Sequence, residues 1–159
     1  MVEIVDLNDN VIDIVSRAEM RRRRMRHRAV FILVRNSRGE VLIHQRSDAK
    51  DLWPGWWDVA IGGVVTAGES YDEAAARELS EEAGIDATPT LFGGGSYEDA
   101  DVALIGRCYE VLHDGLVEPR DGEVVAFRWI DPDSLADLLT VERFLPDSLE
   151  LLGEALFGP

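Results

Sequence analysis

The feature that most constrains this chain is a run of glutamates between glycines, GGVVTAGESYDEAAARELSEEAGI at residues 62–85. Ser70 is followed three residues later by Glu73, which is the pattern of a capping box at the start of a helix. Gly84 suits the left-handed position that follows the last residue of a helix. We therefore predict a helix over residues 71–83.

This helix has an apolar stripe that should face the core. Ala75, Leu79 and Ala83 recur every four residues, and Ala76 broadens the stripe. The predicted helix is therefore amphipathic, with its acidic residues gathered on the remaining surface.

Three of those acidic residues are spaced to converge on one side of the helix. Glu82 and Glu81 follow Glu78 by four and three positions. Like charges at this spacing cost a few tenths of a kcal/mol per pair, so another charge has to offset them. Converging carboxylates suit Mg²⁺ or Mn²⁺. A solvated acidic face is the simpler interpretation of the same run, but the flanking glycines, which let a ligand approach the backbone closely, favour the metal site.

The charge of the chain excludes some classes of partner. Its 159 residues, enough for one compact domain, include 31 Asp and Glu against 16 Lys and Arg, for a net charge of −15. Such a field repels polyanions, so we expect no binding to nucleic acid or to an anionic membrane. The basic run RRRRMRHR at 21–28 is predicted to be a surface turn that pairs with the protein's own acids.

The remaining composition points to a cytoplasmic protein. Cys108 is the only cysteine, so no intrachain disulfide can form. No basic segment followed by an apolar one opens the chain, and no apolar run is long enough to span a membrane. The apolar stretch LPDSLELLGEALF near the C-terminus could pack on its own domain or form a homodimer.

The pattern of the whole chain predicts an α+β fold, a mixed sheet sandwiched between helices. We expect one domain over 1–159, with an N-terminal hairpin and short helix over 1–28 and a core over 29–159. Strands are predicted at 3–7, 11–15, 29–34, 40–46, 89–93, 101–112 and 123–130, and the other helices at 132–139 and 146–157.

The glutamate run also resembles the Nudix box. From Gly63 to Ile85 the chain reads G-x5-E-x7-REL-x-EE-x-GI, with every defined position filled. The resemblance implies a Nudix fold, an α/β/α sandwich, and Mg²⁺-dependent hydrolysis of a small-molecule diphosphate, with a nucleoside diphosphate derivative as the expected substrate. It assigns these roles: metal ligands Glu78, Glu81 and Glu82 with the Gly62 carbonyl, and an ion pair between Arg77 and Glu69 that fixes the loop to the helix.

Two other functions remain open. A wider similarity, from LNDN through KDLWPGWWD, resembles the branch that contains isopentenyl diphosphate isomerase. This chain has Ile61 where the isomerase has an essential cysteine, and Gly63 where it has a histidine, so isomerase activity is not expected. A ligand-binding or regulatory Nudix domain without turnover is the second alternative, although such domains usually lack one of the helix glutamates.

Further acidic residues are candidates for an additional base or metal ligand. Glu98, Asp99 and Asp101 lie at the start of a predicted strand, and Glu123 lies before the last one. The simpler interpretation of each is a carboxylate at a turn or strand edge.

Several other side chains have secondary interpretations. Arg28 and Arg46 are alternatives for a phosphate contact. The tryptophans of the 47–58 loop are expected to anchor that loop, with stacking on a base as the alternative. Two histidines, His27 and His44, are predicted to be structural.

Overall fold

The computed structural model describes residues 1–159 as one mixed sheet with helices on both faces. The nine strands are β1 (Val2–Val5), β2 (Val11–Val15), β3 (His27–Arg35), β4 (Val41–Arg46), β5 (Trp57–Asp58), β6 (Ile61–Val64), β7 (Thr90–Glu98), β8 (Ala103–Leu112) and β9 (Val124–Ile130). The four helices are α1 (Arg17–Arg22), α2 (Tyr71–Ala83), α3 (Pro132–Leu138) and α4 (Pro146–Phe157).

Strand β3 organises the sheet. It pairs in parallel with β8 along its whole length and antiparallel with β6. Strand β7 adds to β8, and β5 and β9 add to β4, all antiparallel. The N-terminal hairpin of β1 and β2 joins the same sheet through the pairing of Ile4 with His27.

Alternate residues of β3 face two different cores, which is why its sequence is a continuous apolar run. The even-numbered residues over 30–34 pack in the core that contains the apolar stripe of α2. The odd-numbered residues over 29–33 pack in the core that contains residues of α3 and α4. Helices therefore cover both faces of the sheet, which confirms the predicted α+β sandwich.

Helix α2 begins and ends as predicted. The Ser70 hydroxyl accepts a hydrogen bond from the Glu73 N–H, and the Glu73 carboxylate accepts one from the Ser70 N–H. Gly84 has a φ of 67°, in the left-handed region. The predicted stripe was wrong at one position, because Ala74 is buried and Ala76 is partly exposed.

The other differences from the predicted elements are in strands. β6 was predicted as a loop, because its sequence IGGV is short and contains two glycines. β7 was predicted to end at 93 but continues through three glycines to Glu98, held by its pairing with β8. The segment 16–28, expected to form a short helix or a turn, is helical over Arg17–Arg22, and its last residues begin β3. None of the helices is both long and apolar enough to cross a membrane.

Candidate active site

The site begins with the acidic residues of α2, which differ in burial. Glu78 and Glu82 are only 8% and 4% exposed, whereas the side chain of Glu81 is 46% exposed. The two buried glutamates each precede a residue of the apolar stripe, Leu79 and Ala83, so they lie at the edge of the core. Helix α2 thus holds two carboxylates in a nearly dry environment and a third at its opening.

The glycines of β6 make room for these carboxylates. A Cβ atom on Gly63 would collide with the carboxylate of Glu78, and one on Gly62 would collide with the backbone of Val30. The Gly62 N–H donates a long hydrogen bond to Glu82 Oε2, at 3.4 Å. Gly63 therefore lets the β6 backbone lie directly against the Glu78 carboxylate, and Gly62 lets β6 lie close to β3.

Arg77 connects the loop before α2 to its glutamates. Its Nε and Nη2 donate to the two oxygens of Glu69 at 2.7 and 2.9 Å, a bidentate pair. Its Nη1 donates to Glu78 Oε1 at 2.8 Å and to Glu81 Oε2 at 3.3 Å. The hydrogen bonds from Arg77 hold the pKa of Glu69 below its ordinary value. One guanidinium thereby fixes the orientation of three carboxylates.

A loop from the other end of the chain completes the acidic pocket. Carboxylate oxygens of Glu82, Asp121 and Glu123 lie within 4.8 Å of one another. Lys50 Nζ donates to Glu123 Oε2 at 2.7 Å. The structure thus brings Glu123, a candidate from the sequence, to the glutamates of α2.

The electrostatics of the pocket show a shortage of positive charge. Burial raises the pKa of Glu78 to about 7, against the opposing effect of Arg77. Burial, and next the charge of Glu78, raise the pKa of Glu82 well above its ordinary value. The only ion-pair partner of Glu82 is His44 at 4.0 Å, and burial lowers the pKa of His44 to about 4, so this imidazole is neutral near pH 7.

A divalent cation fits this arrangement. The pocket offers hard oxygen donors from α2 and from the 121–123 loop, with no lysine or arginine paired to Glu82. Buried carboxylates that repel one another are stabilised when a cation binds between them. The residues present could therefore hold Mg²⁺ or Mn²⁺.

The acidic candidates on β7 and the turn after it lie elsewhere. Glu98 forms ion pairs with Arg24 and Arg26 at 3.1 and 3.0 Å. The carboxylate of Asp99 accepts a hydrogen bond from the Asp101 N–H. None of these three acids lines the pocket of the α2 glutamates.

The basic segment pairs with the protein's own acids, as predicted, but only Arg23 and Arg24 form a turn, since the segment begins in α1 and ends in β3. Arg28 Nε donates to Asp9 at 2.7 Å and its Nη1 donates to Glu3 at 3.0 Å. These ion pairs hold Arg28 of β3 against the N-terminal hairpin. Arg46, the other candidate for a phosphate contact, has no ion-pair partner.

Some residues of the pocket were not predicted from the sequence. Asp121 stands two residues before Glu123 in the turn sequence DGE, and that spacing was the one local signal. Arg17, Lys50 and Arg120 also line the pocket, but they come from segments far apart in the chain. Only the tertiary fold brings them together.

Comparisons with known proteins agree with this geometry. The family model of the NUDIX domain matches residues 25–152. An uncharacterised Nudix hydrolase of Yersinia pestis is 36% identical over 152 residues, which cover 95% of this chain and 82% of that protein. An uncharacterised Nudix hydrolase of Streptomyces coelicolor is 37% identical over 152 residues, covering 94% and 84%.

Solved structures show the same fold. A crystal structure of a Deinococcus radiodurans protein aligns with a TM-score of 0.75 and 26% identity, over 98% of this chain and 96% of that one. The NUDIX domain of Shewanella oneidensis NrtR, solved with ADP ribose, aligns with a TM-score of 0.66 and 20% identity, over 89% and 97%. With the family model matching most of its length and curated relatives spanning nearly all of it, this chain belongs to the Nudix family as a Nudix hydrolase.

Proposed function

We propose that the protein is a Mg²⁺-dependent hydrolase that cleaves the diphosphate bond of a small molecule. Family membership supports a pyrophosphate-cleaving hydrolase. The metal is supported by one observation: Glu82 is buried beside Glu78 and has no lysine or arginine as a partner. A substrate diphosphate is itself anionic, so it requires a positive charge at this acidic pocket.

The proposed metal ligands are the carboxylates of Glu78, Glu81 and Glu82 and the carbonyl of Gly62. Mn²⁺ can take the place of Mg²⁺ because both prefer oxygen ligands. When bound, such an ion neutralises diphosphate oxygens and lowers the pKa of a water molecule.

The reaction forms a bond between a water oxygen and one phosphorus and breaks the bond from that phosphorus to the bridging oxygen. The water's proton goes to a carboxylate of the pocket. Glu81 and Glu123 are suited to accept it, because their side chains are 46% and 47% exposed and can reach a solvent water. The negative charge on the leaving phosphate is stabilised by cations that line the pocket, Lys50 and Arg17.

Arg77 and Glu69 act by positioning. Their bidentate pair fixes the loop before α2 to this helix, and Nη1 of Arg77 orients Glu78. Both residues therefore affect the reaction by holding the proposed metal ligands in place.

The test is phosphate and pyrophosphate release with saturating Mg²⁺ from a panel of diphosphate compounds. The panel holds nucleoside di- and triphosphates, ADP-ribose, dinucleoside polyphosphates, NADH, coenzyme A and isopentenyl diphosphate. Glu82→Gln should abolish turnover, whereas Glu154→Gln, a matched change at an exposed position of α4, should leave it unchanged. Turnover that survives in Glu82→Gln would refute the assigned site.

The same panel separates the alternatives. A binding domain without turnover would bind a compound and release no product. An isomerase would convert isopentenyl diphosphate to its dimethylallyl isomer, but Ile61 is fully buried and the one thiol, Cys108, is buried with its pKa raised to about 11. A homodimer and a cytoplasmic location remain predictions.

A further inference from the structure

A small cavity lies beside the acidic pocket and shares part of its wall. Four residues line both: Arg17, Lys50, Gly62 and Gly63. The cavity measures about 60 Å³. A cavity of this size has room for a compact group of a ligand. A molecule whose diphosphate lies on the α2 glutamates can therefore extend a compact group into it.

Four cationic side chains line the cavity: Arg17, Arg21, Arg46 and Lys50. Of its cations, Arg17 and Arg21 pair with Asp51, and Lys50 pairs with Glu123. Arg46 has no ion-pair partner, and its buried Nε has no hydrogen-bond partner. This guanidinium suits an anionic group of a ligand, because its buried N–H is otherwise left unsatisfied.

Part of the cavity lining is apolar. Its walls come from β3, β8 and the loops before β5, β8 and α4. The apolar side chains at these positions are Phe31, Trp53, Val102, Leu104 and Leu145. Four of these five side chains offer no hydrogen bond and Trp53 offers only its indole N–H, so this part of the wall suits a hydrocarbon portion of a ligand.

Two buried carboxylates, Asp58 and Asp147, also line the cavity, and both are 6% exposed. One oxygen of each accepts a backbone N–H, from Ala60 and Ser148, and no hydrogen bond reaches the other oxygen. Neither carboxylate has an ion-pair partner. Asp147 belongs to α4, which packs on the face of the sheet opposite α2. Burial, and next the charge of Asp58, raise the pKa of Asp147 to about 7.

We propose that this cavity binds the organic end of the substrate, and that this end is a compact alkyl group ending in an ammonium directed at Asp147. The lining combines the unpaired guanidinium of Arg46, apolar side chains and the unpaired carboxylate of Asp147, which complements a short zwitterion that carries a diphosphate and a cation. This substrate class rests on the proposed function, which places the diphosphate on the α2 glutamates. A short alkylammonium is a different class from the nucleoside diphosphate derivatives expected from the resemblance.

The binding test uses two ligands of equal size, 3-aminopropyl and butyl esters of methylene bisphosphonate, which cannot be hydrolysed. With Mg²⁺ present, calorimetry should give a Kd at least about tenfold lower for the amine, as expected for a charge-assisted hydrogen bond. Asp147→Asn should remove this preference and leave the Kd of the butyl ester unchanged. Asp101→Asn, an exposed control, should keep the preference. Equal Kd values in the wild type, or no binding of either ester, would overturn the proposal.

A parallel turnover assay separates this inference from the proposed function. It uses the corresponding hydrolysable diphosphate esters. Turnover without a preference for the amine overturns the cavity assignment and leaves the hydrolase proposal intact. Tighter binding of the amine without turnover of any diphosphate compound supports the cavity assignment and overturns the hydrolase proposal.

Discussion

Two acidic regions of this protein lie beside arginines, and their charges are balanced differently. At the end of β7, Glu98 has two arginines, Arg24 and Arg26, to itself. In the α2 region, Arg77 is shared among Glu69, Glu78 and Glu81. Glu82, the most buried acidic residue of α2, has no lysine or arginine partner. The carboxylates of the two regions therefore differ in pairing: Glu98 has arginine partners, and Glu82 has none.

This difference in ion pairing favours the α2 glutamates over Glu98 as the proposed cation site. A carboxylate that the protein already neutralises gains little from a metal ion. A buried carboxylate without a partner is costly in the free protein, and a bound cation relieves that cost. By this criterion we propose Glu82 as part of a metal site, whereas Glu98 holds the basic N-terminal segment to β7.

The largest expected contrast is in catalysis. Glu78→Gln should lower kcat/KM by roughly 10²-fold or more, because stabilisation of transition-state charge by a metal is worth several kcal/mol. Glu98→Gln makes the same chemical change in the other region and should stay within about twofold of the wild type. Steady-state kinetics with any diphosphate compound that the protein hydrolyses gives kcat/KM for both variants. Similar losses in the two variants would remove the distinction between the two acidic regions.

The next contrast concerns the arginines. Arg77→Lys loses the bidentate geometry that holds Glu69 and Glu78, so activity or Mg²⁺ affinity should fall by about 10–100-fold. Arg26→Lys in the other region should leave both unchanged. Titration of each variant with Mg²⁺ in the activity assay measures the effect, and a wild-type Mg²⁺ profile for Arg77→Lys would show that Arg77 does not position the ligands.

A smaller effect is expected on stability without metal. The folded-state pKa of Glu78 is raised to about 7 from an ordinary 4.5, so the folded protein binds more protons than the unfolded chain between these values. This group therefore contributes stability that is present below pH 4.5 and is lost as the pH rises through 7. Glu78→Gln avoids that loss.

Urea denaturation in the presence of EDTA measures this difference. The free energy of unfolding of Glu78→Gln should exceed that of the wild type by about 1–3 kcal/mol above about pH 7, and the two should converge near about pH 4. A constant difference across this range would show that the Glu78 carboxylate is not strained in the free protein.

The smallest effect is expected for Glu98→Gln in the same experiment. Its side chain is 50% exposed, so its ion pairs with Arg24 and Arg26 should contribute about 1 kcal/mol or less. High salt should reduce this contribution further. If Glu98→Gln lowered the free energy of unfolding by more than a buried-core substitution does, the two regions would be more alike than the structure indicates.

Local sequence determined what could be predicted of the fold. The capping box at Ser70 and the glycine at Gly84 fixed both ends of α2, because these signals act within one turn of helix. The strand at 61–64 was missed because two glycines give it low strand propensity, and its pairing with β3 is a tertiary contact. β7 was predicted too short for the same reason.

The candidate site divides in the same way. The helical spacing of Glu78 and Glu82 is local, so their convergence could be predicted. Their burial could not, since it depends on β6 lying against α2. Asp121, Lys50 and Asp147 come from distant loops and from another helix, and no local pattern relates them to the glutamates.

The most direct test of the central claim is a calorimetric titration of Mg²⁺ into metal-free protein at about pH 7, in two buffers that differ in ionisation enthalpy. We predict that the wild type and Glu98→Gln bind Mg²⁺ and release protons, because the pKa of Glu78 is raised to about 7 and this glutamate is partly protonated at that pH. Glu82→Gln should bind at least about tenfold more weakly. Equal Mg²⁺ affinity in Glu82→Gln and the wild type would contradict the account.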